Sequence, residues 1–82
     1  MISITALFLG PAKDLTGVES VALDLRMGAT VGEARRAIAD RFPRLGGGLS
    51  KMRLALNQEF AAETRVLCAG DELAIIPPMS GG

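Results

Sequence analysis

The sequence predicts an α+β fold in which a mixed sheet of five strands wraps one main helix, in the order β-β-α-β-β-β. Three features lead there. The stretch 30–42 carries apolar residues at helical spacing behind a capping signal. Short runs rich in β-formers lie on both sides of it. A chain of 82 residues has room for one core, and one amphipathic helix laid on one sheet face buries it.

The first strand is read at Ile2 to Leu9, with Ile2, Ile4, Ala6 and Phe8 on one face and Ser3, Thr5, Leu7 and Leu9 on the other. Gly10-Pro11 breaks the run, and Gly10 to Ser20 reads as a loop of turn formers and charges. A second strand at Val21 to Arg26 alternates cleanly, Val21, Leu23 and Leu25 inward. After Met27-Gly28-Ala29, Thr30 at the N-cap and Glu33 three positions on form a capping box, each side chain satisfying a backbone donor that the first turn leaves unpaired. Val31, Ala34, Ile38 and Phe42, supported by Ala37, make the buried stripe. Arg35, Arg36 and Asp40 fall outside it and, with Arg41, read as a solvated face. Pro43 stops the helix, because proline disfavours helical geometry in the residue before it.

Arg44 to Ser50, with its three consecutive glycines, reads as a flexible connection. A third strand from about Lys51 to Leu56 turns at Asn57-Gln58 into a short fourth strand, Glu59-Phe60-Ala61. Thr64 to Asp71 is expected to be a compact turn region with Leu67 inward, and Glu72 to Ile76 forms the fifth strand. This divides the chain into a domain at 1–76 and a flexible tail at 77–82.

Composition removes many functions. Nine basic residues balance nine acidic ones, so there is no nucleic-acid or anionic-membrane footprint. No apolar run approaches the roughly 18–20 residues that span a bilayer, and Met1-Ile2-Ser3-Ile4 does not look like a signal peptide. One cysteine, Cys68, fits a reducing cytoplasm. The chain has no His, Tyr or Trp, no metal-ligand spacing, and no base to activate Cys68, which reads as a turn or core residue. Asp71-Glu72 reads as part of a turn, since two adjacent carboxylates lack the remaining ligands of a metal site. Gly46-Gly47-Gly48 precedes a strand and lacks the Lys-Ser/Thr ending of a phosphate loop. No catalytic activity is expected of the chain alone.

The tail, Pro77-Pro78-Met79-Ser80-Gly81-Gly82, is the unusual part. Its prolines favour an extended course and withhold two donors. Gly81 and Gly82 carry no side chain and fit a narrow passage, and the reactive group is the α-carboxylate of Gly82.

Four stretches then resemble a known family. They are Leu7-Phe8-Leu9 with Lys13-Asp14-Leu15 and Gly17, Gly28-Ala29-Thr30-Val31-Gly32-Glu33, Leu56-Asn57-Gln58-Glu59, and Gly70-Asp71-Glu72 running through Ile75-Ile76-Pro77-Pro78 to Gly81-Gly82. Together they are similar to the small, sulfur-carrying subunit of molybdopterin synthase, a β-grasp or ubiquitin-like fold. Departures are Gly10-Pro11, Cys68-Ala69 and the aliphatic Ile75-Ile76 where many members carry aromatic residues.

The resemblance implies a covalent carrier with no tightly bound cofactor. A ubiquitin-activating-like adenylyltransferase, using ATP and Mg²⁺, would adenylate Gly82. A cysteine desulfurase system would supply the sulfur of a thiocarboxylate. Gly81 and Ser80 would form the slim arm that threads into the large subunit, where the sulfur passes to cyclic pyranopterin monophosphate. Strand parity suggests an exposed apolar patch of Leu9, Phe60 and Ile76, and such patches usually mark partner sites. Within the resemblance, the corresponding positions contact the activating enzyme and the large subunit. Two other functions stay open: a sulfur carrier for thiamine or a similar product, against which the Pro-Pro-Met-Ser run argues, and a ubiquitin-like modifier joined to lysines through Gly82. A plain interaction domain whose diglycine is accidental is the remaining alternative.

Overall fold

The structure, a computed structural model, describes residues 1–78. Its strands are β1 (Ile2–Phe8), β2 (Ser20–Leu25), β3 (Arg53–Leu56), β4 (Glu59–Phe60) and β5 (Glu72–Ile76), and its helices are α1 (Pro11–Thr16) and α2 (Val31–Arg41). A 3₁₀ segment, Pro43–Lys51, follows α2. The sheet runs β2-β1-β5-β3-β4. β1 and β5 pair in parallel at its centre, and the other neighbouring pairs are antiparallel.

The register puts one residue set on the inner face. Ile4 sits opposite Leu23, Ala6 opposite Leu73, and Phe8 opposite Ile75, which in turn faces Leu54. All are buried, and α2 lays Val31, Ala34 and Ile38 over them. Phe42 closes one end of the core, its ring edge-on to Phe8 at 5.1 Å. The α2 capping box is present: Thr30 accepts from the Glu33 amide at 3.3 Å, and the Glu33 carboxylate accepts from the Thr30 amide at 3.4 Å. Glu33 also pairs with Arg26, which holds its carboxyl below the usual carboxylate range.

Two segments differ from the sequence reading. Gly10 to Ser20 contains α1 and is not a plain loop. Gly10 turns the chain at φ 51°, Pro11 enters the helix where its missing N–H costs nothing, and Ala12 is fully buried. The stretch Arg44 to Ser50 is likewise not a featureless connection. It winds as 3₁₀ turns kinked at Gly46, and Leu45 and Leu49 are 3% and 2% exposed inside the core. The helical repeat assigns Arg35 to a solvated face. Only half-exposed, it instead donates to the Leu49 carbonyl at 3.0 Å and pairs with Glu63 at 2.7 Å, tying α2 to both neighbouring segments.

Candidate functional site

The outer face of the sheet, opposite α2, carries the candidate site. A row crosses four strands there: Leu7 on β1 faces Ala74 on β5, Ala74 faces Ala55 on β3, and Ala55 faces Phe60 on β4. Ile76 on β5 and Arg53 on β3 form the next paired position toward residue 77. The opposite end of this face is polar, with Ser3 paired to Asp24, and Thr5 between Ala22 and Glu72. Apolar character is therefore concentrated where β5 leaves the sheet.

Phe60 is 64% exposed, Leu9 is 45% exposed and Ile76 is half-buried. Leu9 lies just beyond β1, where its amide donates to the Ile75 carbonyl at 3.3 Å. It borders a shallow cleft lined also by Leu7, Gly10, Lys13, Glu19 and Ser20, across which Lys13 and Glu19 pair at 3.4 Å. Leu7 and Phe60 stand at opposite ends of the apolar row, three strand spacings or roughly 14 Å apart, and Leu9 lies two residues beyond Leu7. The small side chains of Ala55 and Ala74 form a low floor between them. Ala55 is 5% exposed despite facing away from the core.

Strand parity applied to the apolar residues alone passes over Arg53, which shares this face. Its guanidinium lies over the Phe60 ring, 4.3 Å from the centroid. The signal was available. A two-residue turn at Asn57-Gln58 pairs Leu56 with Glu59 and Ala55 with Phe60, which places Arg53 on the face of Phe60, one diagonal away.

β4 and β5 are held by polar contacts at that turn. Asn57 and Gln58 both have positive φ, 50° and 73°, as a tight hairpin turn requires. The Asn57 side-chain Nδ2 donates to the Asp71 carboxylate at 3.0 Å, while its Oδ1 accepts from the Glu72 backbone N–H at 2.9 Å. Asp71 also accepts from the Cys68 amide at 2.7 Å. These bonds, the Cys68 amide first and Asn57 second, hold the Asp71 carboxyl below its usual range. They fix where β5 begins, and hence where Ile76 emerges. Cys68 itself is a free, exposed turn residue.

β5 delivers the chain to Pro77, half-buried, and Pro78, exposed. Ser80, Gly81 and Gly82, the expected tail site, lie outside the described residues. Among the described residues no helix is long and apolar enough to cross a membrane, and no group of three or more His, Cys, Asp or Glu could hold a metal ion.

A mixed five-strand sheet on one principal helix, with its last strand central and parallel to the first, defines a ubiquitin-like β-grasp domain. The crystal structure of SAMP1 from Haloferax volcanii superposes with a TM-score of 0.90 at 31% identity, covering 98% of this chain and 99% of that one. The profile of the ThiS family matches residues 6–82, and the chain belongs to that family. The molybdopterin synthase sulfur carrier subunit of Arabidopsis thaliana is 37% identical over 81 residues, which are 99% of this chain and 84% of that protein. The subunit of the same description from Caenorhabditis elegans is 38% identical over 84 residues, covering 100% of both chains.

Proposed function

We propose that this protein is the sulfur carrier subunit of molybdopterin synthase, with the Gly82 carboxylate as the carrying group. The observation that carries the reading is the end-to-end likeness to sulfur carrier subunits of that synthase at 37% and 38% identity. The rest of the molecule is consistent with it. The sheet and α2 share one buried core, and β5 at the centre of the sheet runs out beside an apolar face.

The chemistry needs partners. A carboxylate is a poor electrophile because oxide would have to leave. In an activating adenylyltransferase, the Gly82 carboxylate would attack the α-phosphorus of ATP, with Mg²⁺ held by that enzyme, releasing pyrophosphate. A persulfide sulfur, supplied by a cysteine desulfurase system, then attacks the acyl carbon and expels AMP. Thiol reduction of the resulting acyl disulfide leaves the thiocarboxylate. In the large subunit, the carried sulfur is transferred to cyclic pyranopterin monophosphate, and two such transfers build a dithiolene. Gly81 and Ser80 keep the arm narrow enough for both active sites, where water must be excluded from the acyl-adenylate. Leu9, Phe60 and Ile76 are the docking residues for the partners. The reading places the protein in the cytoplasm, where ATP and reduced thiols are present.

The test is mass spectrometry after incubation with the activating enzyme, ATP and a sulfur donor. The intact chain is expected to exchange one oxygen for sulfur, whereas Gly81→Ala and deletion of Gly82 abolish the exchange with little loss of stability. Full conversion of the deletion variant would overturn the proposal. The likeness to the archaeal modifier SAMP1 favours a second reading, conjugation of Gly82 to lysines. Isopeptide-linked adducts in cells, with molybdenum-enzyme activity intact after deletion of the gene, would select it.

A further inference from the structure

We infer that Arg53 and Phe60 form a composite platform that selects a partner surface carrying a carboxylate beside an apolar shelf. The inference rests on the docking reading above and names the chemistry of the large-subunit surface that sits there. Three observations support it. The Arg53 guanidinium carbon lies over the Phe60 ring, 4.3 Å from its centroid, a cation–π contact that holds the side chain on the outer face. A guanidinium carries its N–H donors in a planar fork, which can grip a carboxylate through two parallel hydrogen bonds. Among the described residues Arg53 makes no ion pair: the three pairs are Lys13–Glu19, Arg26–Glu33 and Arg35–Glu63.

Position adds direction. Arg53 is paired across the sheet with Ile76, the last residue of β5, so the cation stands beside the point where the chain leaves the sheet. The acidic residues of the outer face, Asp24 and Glu72, pair at the other end of the face with Ser3 and Thr5. Lys13 at this end is paired with Glu19, so a partner covering the apolar row meets in Arg53 a positive charge that no acidic residue pairs with among the described residues. Stacking on an aromatic ring restrains a long side chain before binding, which lowers the ordering cost that a free arginine would bear on docking.

The test is titration calorimetry of the full-length protein with the purified large subunit, at low and at high salt. Arg53→Glu is expected to weaken binding about 10- to 100-fold at low salt, with a smaller loss at high salt. Arg53→Lys keeps the charge but not the fork, and falls between the two. Arg53→Gln serves if the reversed charge perturbs folding, which circular dichroism reports. Wild-type affinity of Arg53→Glu and Arg53→Gln, alongside weakened binding by Ile76→Asp, overturns the platform and leaves the docking face. Wild-type affinity of Ile76→Asp as well overturns the docking reading itself. A loss in Arg53→Glu that is identical at both salt concentrations overturns the carboxylate assignment.

Discussion

Replacing Asp71 with alanine removes the acceptor that joins the start of β5 to the hairpin turn and to the preceding loop. Two bonds are lost, from the Cys68 amide at 2.7 Å and from the Asn57 side chain at 3.0 Å. Hydrogen bonds to a charged acceptor contribute about 1.5–3 kcal/mol each when buried. Asp71 is half-exposed, so water re-solvates the freed donors and the expected total falls to about 1–2 kcal/mol. For a domain of this size that corresponds to a fall in Tm of roughly 5–15 °C. Urea denaturation followed by circular dichroism measures the loss.

The pH dependence supplies an independent arm. The Asp71 pKa is lower in the folded protein than its ordinary value of 3.8. Its contribution is therefore complete above the unfolded value and is lost as pH falls through the lower folded value. The stability gap between wild type and Asp71→Ala is expected to be full near about pH 6 and to close as pH is lowered past 3.8. Asp71→Asn retains one acceptor oxygen and should lie between the two, with little acid dependence of its own at this site. An unchanged midpoint in Asp71→Ala, or a gap that persists undiminished in acid, would refute the reasoning.

The remaining predictions concern the segments around α2. Leu49→Ala should cost about 2–5 kcal/mol, because Leu49 is 2% exposed in the core; a merely connecting residue would cost almost nothing, and chemical denaturation separates the cases. Thr30→Ala removes one half of the capping box and should cost about 1 kcal/mol, read in the same assay, with Thr30→Ser recovering most of it.

Some of this molecule is legible from local rules because local physics decides it. The α2 capping box depends on residues three positions apart, and its stripe depends only on the 3.6-residue repeat. The bounds of β5 coincide with the expected Glu72 to Ile76, where Gly70, at φ 86°, turns the chain ahead of the apolar run Leu73-Ala74-Ile75-Ile76. The faces of β1 and β5 follow from the two-residue alternation of strands. The tail motif is also purely a matter of sequence, and its chemical reading owes nothing to the described residues.

Tertiary structure decided what local preference left open. α1 has only six residues, too few to be stable as an isolated helix, and it exists because Ala12 is buried in the core. Leu45 and Leu49 lie among glycines that signal a linker, yet space beside α2 and the Arg35 bond to the Leu49 carbonyl pull that segment inward. Strand order belongs to the same category: nothing local places β5 between β1 and β3, where its two faces are shared between the core and the outer apolar row. That placement brings Ile76, Arg53 and Phe60 together from three strands. The sequence alone determined the diglycine tail and most of the elements, because those depend on residue identity and short periods. The surface beside the tail needed the sheet, because only long-range pairing brings its side chains onto one face.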